Sequence, residues 1–140
     1  MRTLKTRFAL LGAITLLAGT AGYAPIAAAD RLPTEEGCKE LFNITQNKKG
    51  WCAAINRKKG NCLACHTIIT SQWPKGLPPS GNIGPPLVGM KMRFPEEAKL
   101  REKIWDATQA NPNTQMPPFG RHKLLSDREI DDIVAFLLSI

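Results

Sequence analysis

An all-α fold of short helices joined by long loops is what this sequence predicts. Three observations carry the prediction. Ser126 and Glu129 form a capping box, and Ile130, Ile133, Val134, Leu137 and Leu138 then recur at helical spacing to the C-terminus. Pro95 suits a first helical position, and the run that follows turns Leu100, Ile104 and Ala107 to one side before Asn111-Pro112 stops it. No segment shows the apolar–polar alternation of a strand, and there is no internal repeat.

The remaining elements follow in chain order. The first 29 residues read as a secretory leader: Arg2, Lys5 and Arg7 without an acid, an apolar run from Phe8 to about Ala18, then Ala27-Ala28-Ala29, with cleavage after Ala29. A retained membrane anchor is the alternative, but Gly12 and Thr15 interrupt a run already short for a bilayer. No later segment is long and apolar enough to span one. Residues 30–140 then form one exported domain, a 30–59 N-terminal part and a 60–140 core. Residues 34–46 put Cys38, Leu41, Phe42 and Thr45 on one helical face, with Asn47 to Gly50 ending that helix. Residues 70–94 form a long Gly/Pro-rich loop, and loops of that length are usually functional or tied down.

Charge excludes one class. The chain carries 19 Lys+Arg against 12 Asp+Glu, a formal +7, but three of the cations sit in the leader. The mature segment is mildly basic and its cations are scattered, which is no footprint for nucleic acid.

The chemistry sits in "KKGNCLACHTI", residues 58–68. Cys62-x-x-Cys65-His66 is the spacing of covalent c-type haem attachment. Residues i and i+3 of a helical turn point the same way, so two thiols can meet two vinyl groups on one porphyrin edge. The imidazole that follows reaches the iron. Gly60 and Asn61 suit the start of such a turn, Asn as an N-cap. A zinc half-site or a redox dithiol would use the same cysteines. Zinc lacks further well-spaced ligands, however, and no βαβ pattern accompanies the pair.

A second axial ligand decides the function class. Met116, in "NPNTQMPPFGRH", stands in a loop stiffened by Pro117 and Pro118. Met90 and Met92 follow a loop expected on the proximal side and read as core or surface. His122 reads as solvent-facing, and Trp105 and Phe136 as core or haem wall. A His66/Met116 iron is saturated and of raised potential, suited to passing electrons rather than binding oxygen or peroxide.

The arrangement resembles the class I cytochrome c fold: a helix, Cys62-x-x-Cys65-His66, Gly84-Pro85-x-Leu87, a loop methionine and a C-terminal helix, wrapped around one covalent haem. That resemblance implies crossed terminal helices and a hydrogen bond from His66 to the backbone carbonyl of Pro85. "GNCLACH", "GNIGPPLVGMKMRFP" and the string from Leu100 to Leu137 narrow the likeness to the SoxX family, covering most of residues 60–138. SoxX is the monohaem subunit of the periplasmic SoxAX complex. The resemblance implies a SoxA-type partner and thiosulfate joined oxidatively to a cysteine of the SoxYZ carrier. It also implies haem c held by Cys62 and Cys65 with His66 and Met116 as axial ligands, a downstream electron acceptor, and no catalytic residue in this chain.

Cys38 and Cys52 stand outside any second haem motif. Export and an even cysteine count favour a disulfide between them, closing a loop of about 15 residues and contributing roughly 3 kcal/mol. A free reactive thiol and a bridge to another chain are the rivals. Two functions follow, an electron-accepting subunit with an apolar contact patch, or a free-standing shuttle with a charged one. Trp73 and Leu77 in the long loop favour the first. Arg93 and Arg121 are candidates for haem propionates or for simple solvation.

Overall fold

A computed structural model describes residues 31–140, and the expected leader lies outside them. Within that span the chain is all-α. Five α-helices run in order: α1 Glu35–Glu40, α2 Gln46–Ile55, α3 Met90–Arg93, α4 Glu97–Trp105 and α5 Asp127–Leu138. Two 3₁₀ turns, Cys62–Ala64 and Ala107–Gln109, and one isolated parallel bridge between Ile68 and Leu87 complete it. No helix among the described residues is long and apolar enough to cross a membrane.

The core forms where α2 crosses α5. Trp51, Ala54 and Ile55 of α2 meet Ile130, Ile133, Val134, Phe136 and Leu137 of α5, all buried. The helices touch at Gly50, where a Cβ would lie 1.9 Å from the carbonyl oxygen of Asp132. Trp51 is fully enclosed and edge-packed between Phe136 and Trp73, with centroids 5.5 Å and 5.8 Å away. Its indole N–H donates to the carbonyl of Pro33 at 2.7 Å. Trp73 therefore spends its ring on loop packing.

The N-terminal region differs from expectation. The single helix over 34–46 is two helices, and Asn47 to Gly50 lie inside the second rather than after the first. Thr34 caps α1 by accepting from Gly37 N, and Thr45 caps α2 by accepting from Lys48 N. Between them Leu41 is extended and Asn43 adopts a left-handed φ of 53°. The stripe through Cys38, Leu41 and Phe42 does not form a core face: Cys38 is half-buried, but Leu41 is 40% and Phe42 87% exposed, because α2 occupies the core face. α1 is held instead by the Cys38–Cys52 disulfide, with an S–S distance of 2.06 Å.

Further along, α4 starts at Glu97, two residues past Pro95, and stops at Trp105. Asp106 breaks it with extended backbone and caps the following 3₁₀ turn, so Ala107 is buried from that turn and not from the helix. Arg101 ties α4 to α5 through Asp127 and Asp131, at 2.8 Å and 2.6 Å. The Ser126–Glu129 capping box opens α5 as expected. Burial disfavours the Glu129 charge, but hydrogen bonds from Lys59 and Ser126 outweigh it and hold its carboxyl below the usual range.

Candidate haem site

Cys62–Ala64 is a 3₁₀ turn rather than an α-turn, and one α-type bond, from His66 N to Cys62 O, closes the segment. Asn61 enters it with φ 45° and makes no side-chain cap. The change preserves the chemistry, since residues i and i+3 eclipse on a 3₁₀ helix and the two cysteines still share a side. His66 N and Cys65 N both donate to the carbonyl of Cys62, at 2.8 Å and 3.2 Å. Cys62 and Cys65 are unpaired. Cys62 is half-buried as a residue, but its sulfur lies deep enough that burial pushes the thiol up to about 12. A redox dithiol needs the opposite shift. No group of three or more His, Cys, Asp and Glu side chains is gathered for a metal among the described residues.

His66 is oriented by the segment that returns beside it. Gly81 N donates to Leu63 O, Gly84 N to Cys65 O and Leu87 N to Thr67 O, each at 2.8 Å. Ile69 N donates back to Leu87 O, and Thr67 Oγ1 to Gly81 O. This ladder sets His66 Nδ1 2.8 Å from the carbonyl oxygen of Pro85. A carbonyl only accepts, so Nδ1 carries the proton and Nε2 is left with its lone pair for iron. Gly84 lies against the imidazole: a Cβ there would stand 2.4 Å from His66 Cε1. That role for Gly84 has no signature in the sequence beyond its place in the Gly/Pro run.

Met116 sits half-buried against the core. Its loop folds on itself through Asn111 N to Ala107 O, Thr114 N to Asn111 O, and Met116 N to Thr114 Oγ1. Pro118 and Phe119 beyond it are buried. Of the other candidates, Met90 is a core residue at 2% exposure and Met92 is 85% exposed. His122 is exposed, Phe136 lies in the core and Trp105 is half-buried against Gly120. Arg93 donates to the carbonyl of Pro86 at 2.7 Å, and Arg121 pairs with Asp106 at 3.2 Å, so both cations have protein partners.

Residues 52–137 match the family model of cytochrome c oxidase, cbb3-type, subunit III. The chain belongs to this cytochrome c family. It is therefore an electron-transfer cytochrome that carries covalently bound haem c. An uncharacterized lipoprotein of Aquifex aeolicus (strain VF5) is 35% identical over 99 residues, covering 71% of this chain and 43% of the relative. The chain thus spans less than half the length of that relative.

The residues present fit the group. Cys62 and Cys65 offer two free thiols at thioether spacing, and His66 offers a lone pair fixed by Pro85. Haem supplies one-electron chemistry when bound. Cys62 and Cys65 would supply attachment, His66 an imidazole of fixed tautomer, and Met116 a thioether sulfur from a constrained loop.

Proposed function

We propose that this chain is the electron-accepting monohaem subunit of a SoxAX-type complex in the periplasm. In this reading Cys62 and Cys65 are the thioether attachments, and His66 and Met116 are the axial ligands. The observation that carries the electron-transfer role is the His66 imidazole, held through Nδ1 by Pro85 with Nε2 left for iron. Paired with a thioether it saturates the iron and leaves no position for oxygen or peroxide.

Joining thiosulfate to a carrier cysteine breaks the cysteine S–H bond, forms a sulfur–sulfur bond, and releases one proton to water and an electron pair. A single haem takes one electron at a time, so this chain hands each to a downstream acceptor before the next. Bond formation belongs to the SoxA-type partner and the SoxYZ carrier. Exposed apolar residues flanking the Pro85 segment, Ile83 at 73%, Val88 at 40% and Met92 at 85%, support burial under a partner subunit. Export is supported by the leader pattern and by the lipoprotein name of the Aquifex relative.

A free-standing shuttle is the second reading. The family description names an oxidase subunit and no sulfur-oxidising enzyme, which is the ground for keeping it. Haem reduction by thiosulfate separates the two. The subunit reading expects reduction only when a SoxA-type cytochrome and the carrier are both present. No reduction in that mixture, with active partners, leaves the shuttle.

A further inference from the structure

Asp106 and Arg121 belong to no haem motif, yet they stand at the two ends of the loop that carries Met116. We propose that this pair is a clamp that positions Met116, closing the neck of its loop. The inference rests on Met116 being the second axial ligand.

The two oxygens of Asp106 divide the task. Oδ1 accepts from Thr108 N at 3.0 Å and from Thr108 Oγ1 at 2.5 Å, fixing the outgoing end of the loop as a 3₁₀ turn. Oδ2 takes the Arg121 guanidinium at 3.2 Å, fixing the returning end. The Asp106 side chain is only 2% exposed, so little water is available to replace either partner. The Thr108 hydroxyl bond, helped by the Thr108 N–H and the Arg121 charge, outweighs burial and keeps the carboxyl below its usual range.

Backbone contacts at the neck are thinner than they look. The carbonyl of Trp105 accepts both Gly120 N at 3.0 Å and Arg121 N at 3.3 Å, one acceptor shared by two donors. Gly120 packs flat on the Trp105 indole, where a Cβ would fall 1.9 Å from Cδ1. A shared carbonyl and a ring contact hold the chains together but let them slide. The Asp106–Arg121 pair fixes the register. Once the neck can slide, the sulfur of Met116 spends less time at the iron, and an external ligand competes better.

The test uses the holoprotein in its ferric state. The readouts are the weak red-edge absorption that a thioether ligand gives ferric haem, and the affinity for added imidazole. Asp106→Asn and Arg121→Gln are expected to keep their haem and helical circular dichroism, to weaken the red-edge band, and to bind imidazole about tenfold more tightly, a usual size for coupling through a shared element. Arg121→Lys keeps the charge and restores most of the wild-type resistance. Glu129→Gln, which removes an ion pair elsewhere, leaves imidazole affinity unchanged. If Asp106→Asn does not fold, Arg121→Gln, whose side chain is 48% exposed, carries the test. A wild-type spectrum without the red-edge band overturns the Met116 assignment and the clamp with it. A wild-type band that persists in both variants, with imidazole affinity unmoved, overturns the clamp alone.

Discussion

Replacing Gly50 by alanine sets two known effects against each other. On an isolated helix the change is favourable by about 1 kcal/mol, because glycine is the weaker helix former. At this position the new Cβ would lie 1.9 Å from Asp132 O, 2.4 Å from Asp132 C and 2.9 Å from Ile133 N. All three are backbone atoms of α5, so no side chain can swing away. Restoring ordinary contact at about 3.4 Å requires the helices to separate by about 1.5 Å at the crossing. That separation loosens Trp51 from Phe136 and Ala54 from its neighbours. Overpacking costs about 1–3 kcal/mol, more where backbone must move. The expected net is a loss of about 2 kcal/mol or more, a large share of a typical stability of about 5–15 kcal/mol. Urea unfolding of the holoprotein, followed by far-ultraviolet circular dichroism, measures it. Lys49→Ala, an exposed site on the same helix, is the control and should stay within about 0.5 kcal/mol of wild type. If Gly50→Ala matches or exceeds wild type, the close crossing is not what organises the core.

Three further outcomes are expected. Gly84→Ala, whose Cβ would stand 2.4 Å from His66 Cε1 and 2.6 Å from Nδ1, should displace the imidazole from Pro85. The haem potential should then rise, because an imidazole without that hydrogen bond donates less to iron; an unchanged potential refutes it. Replacing Cys38 and Cys52 together by serine should cost about 3 kcal/mol by loop-closure entropy for a separation of 14 residues, with the loss appearing on reduction of the wild type as well. Acid should weaken the fold late. Asp106 and Glu129 are both held below the usual carboxylate range, so their stabilisation is full above that range and is lost as pH falls through the depressed values. The urea midpoint should hold down to about pH 4 and drop below it. Glu129→Gln should make that drop shallower, and an identical slope would rule its carboxylate out as a contributor.

What could be read from the sequence was what is written in short spans. The capping box and apolar stripe of α5 lie within residues 126–138, and each is intelligible without its partner. The Cys62–Cys65–His66 spacing is equally local, although the turn it occupies proved to be 3₁₀. α2 was missed for the converse reason. Gly50 is a poor helix residue by propensity, and what makes it suitable is the backbone of Asp132, far away in sequence. The apolar spacing through Leu41 and Phe42 misled because a stripe reports that a helix could bury a face, while only the competition with Trp51 and Ile55 decides which face is buried. Pro85 came through family resemblance, since a backbone carbonyl carries no residue signature. Asp106 and Arg121 were invisible as a pair, because a carboxylate and a guanidinium at the ends of a loop follow no period.

The two loops around the candidate haem are held by different physics, and they should fail differently. The His66 side is a ladder of backbone hydrogen bonds between residues 63–69 and 81–87, tightened by glycines that let the strands of the loop approach. Its closure rests mainly on main-chain bonds, with Thr67 Oγ1 to Gly81 O as a side-chain addition, and a Cβ at Gly81 would meet Ala64 O at 2.1 Å and wedge it open. The Met116 side has a single shared carbonyl at its neck, and side chains complete the closure. Charge changes at Asp106 or Arg121 therefore reach it, while they leave the α2–α5 crossing and the Cys62–His66 turn untouched. On the clamp proposal, loosening of the Met116 loop should occur without unfolding and without loss of the covalent cofactor. On the proposed ligation, the Met116 end of the axial pair is the one that side-chain charges would reach, and the His66 end the one that backbone hydrogen bonds would hold.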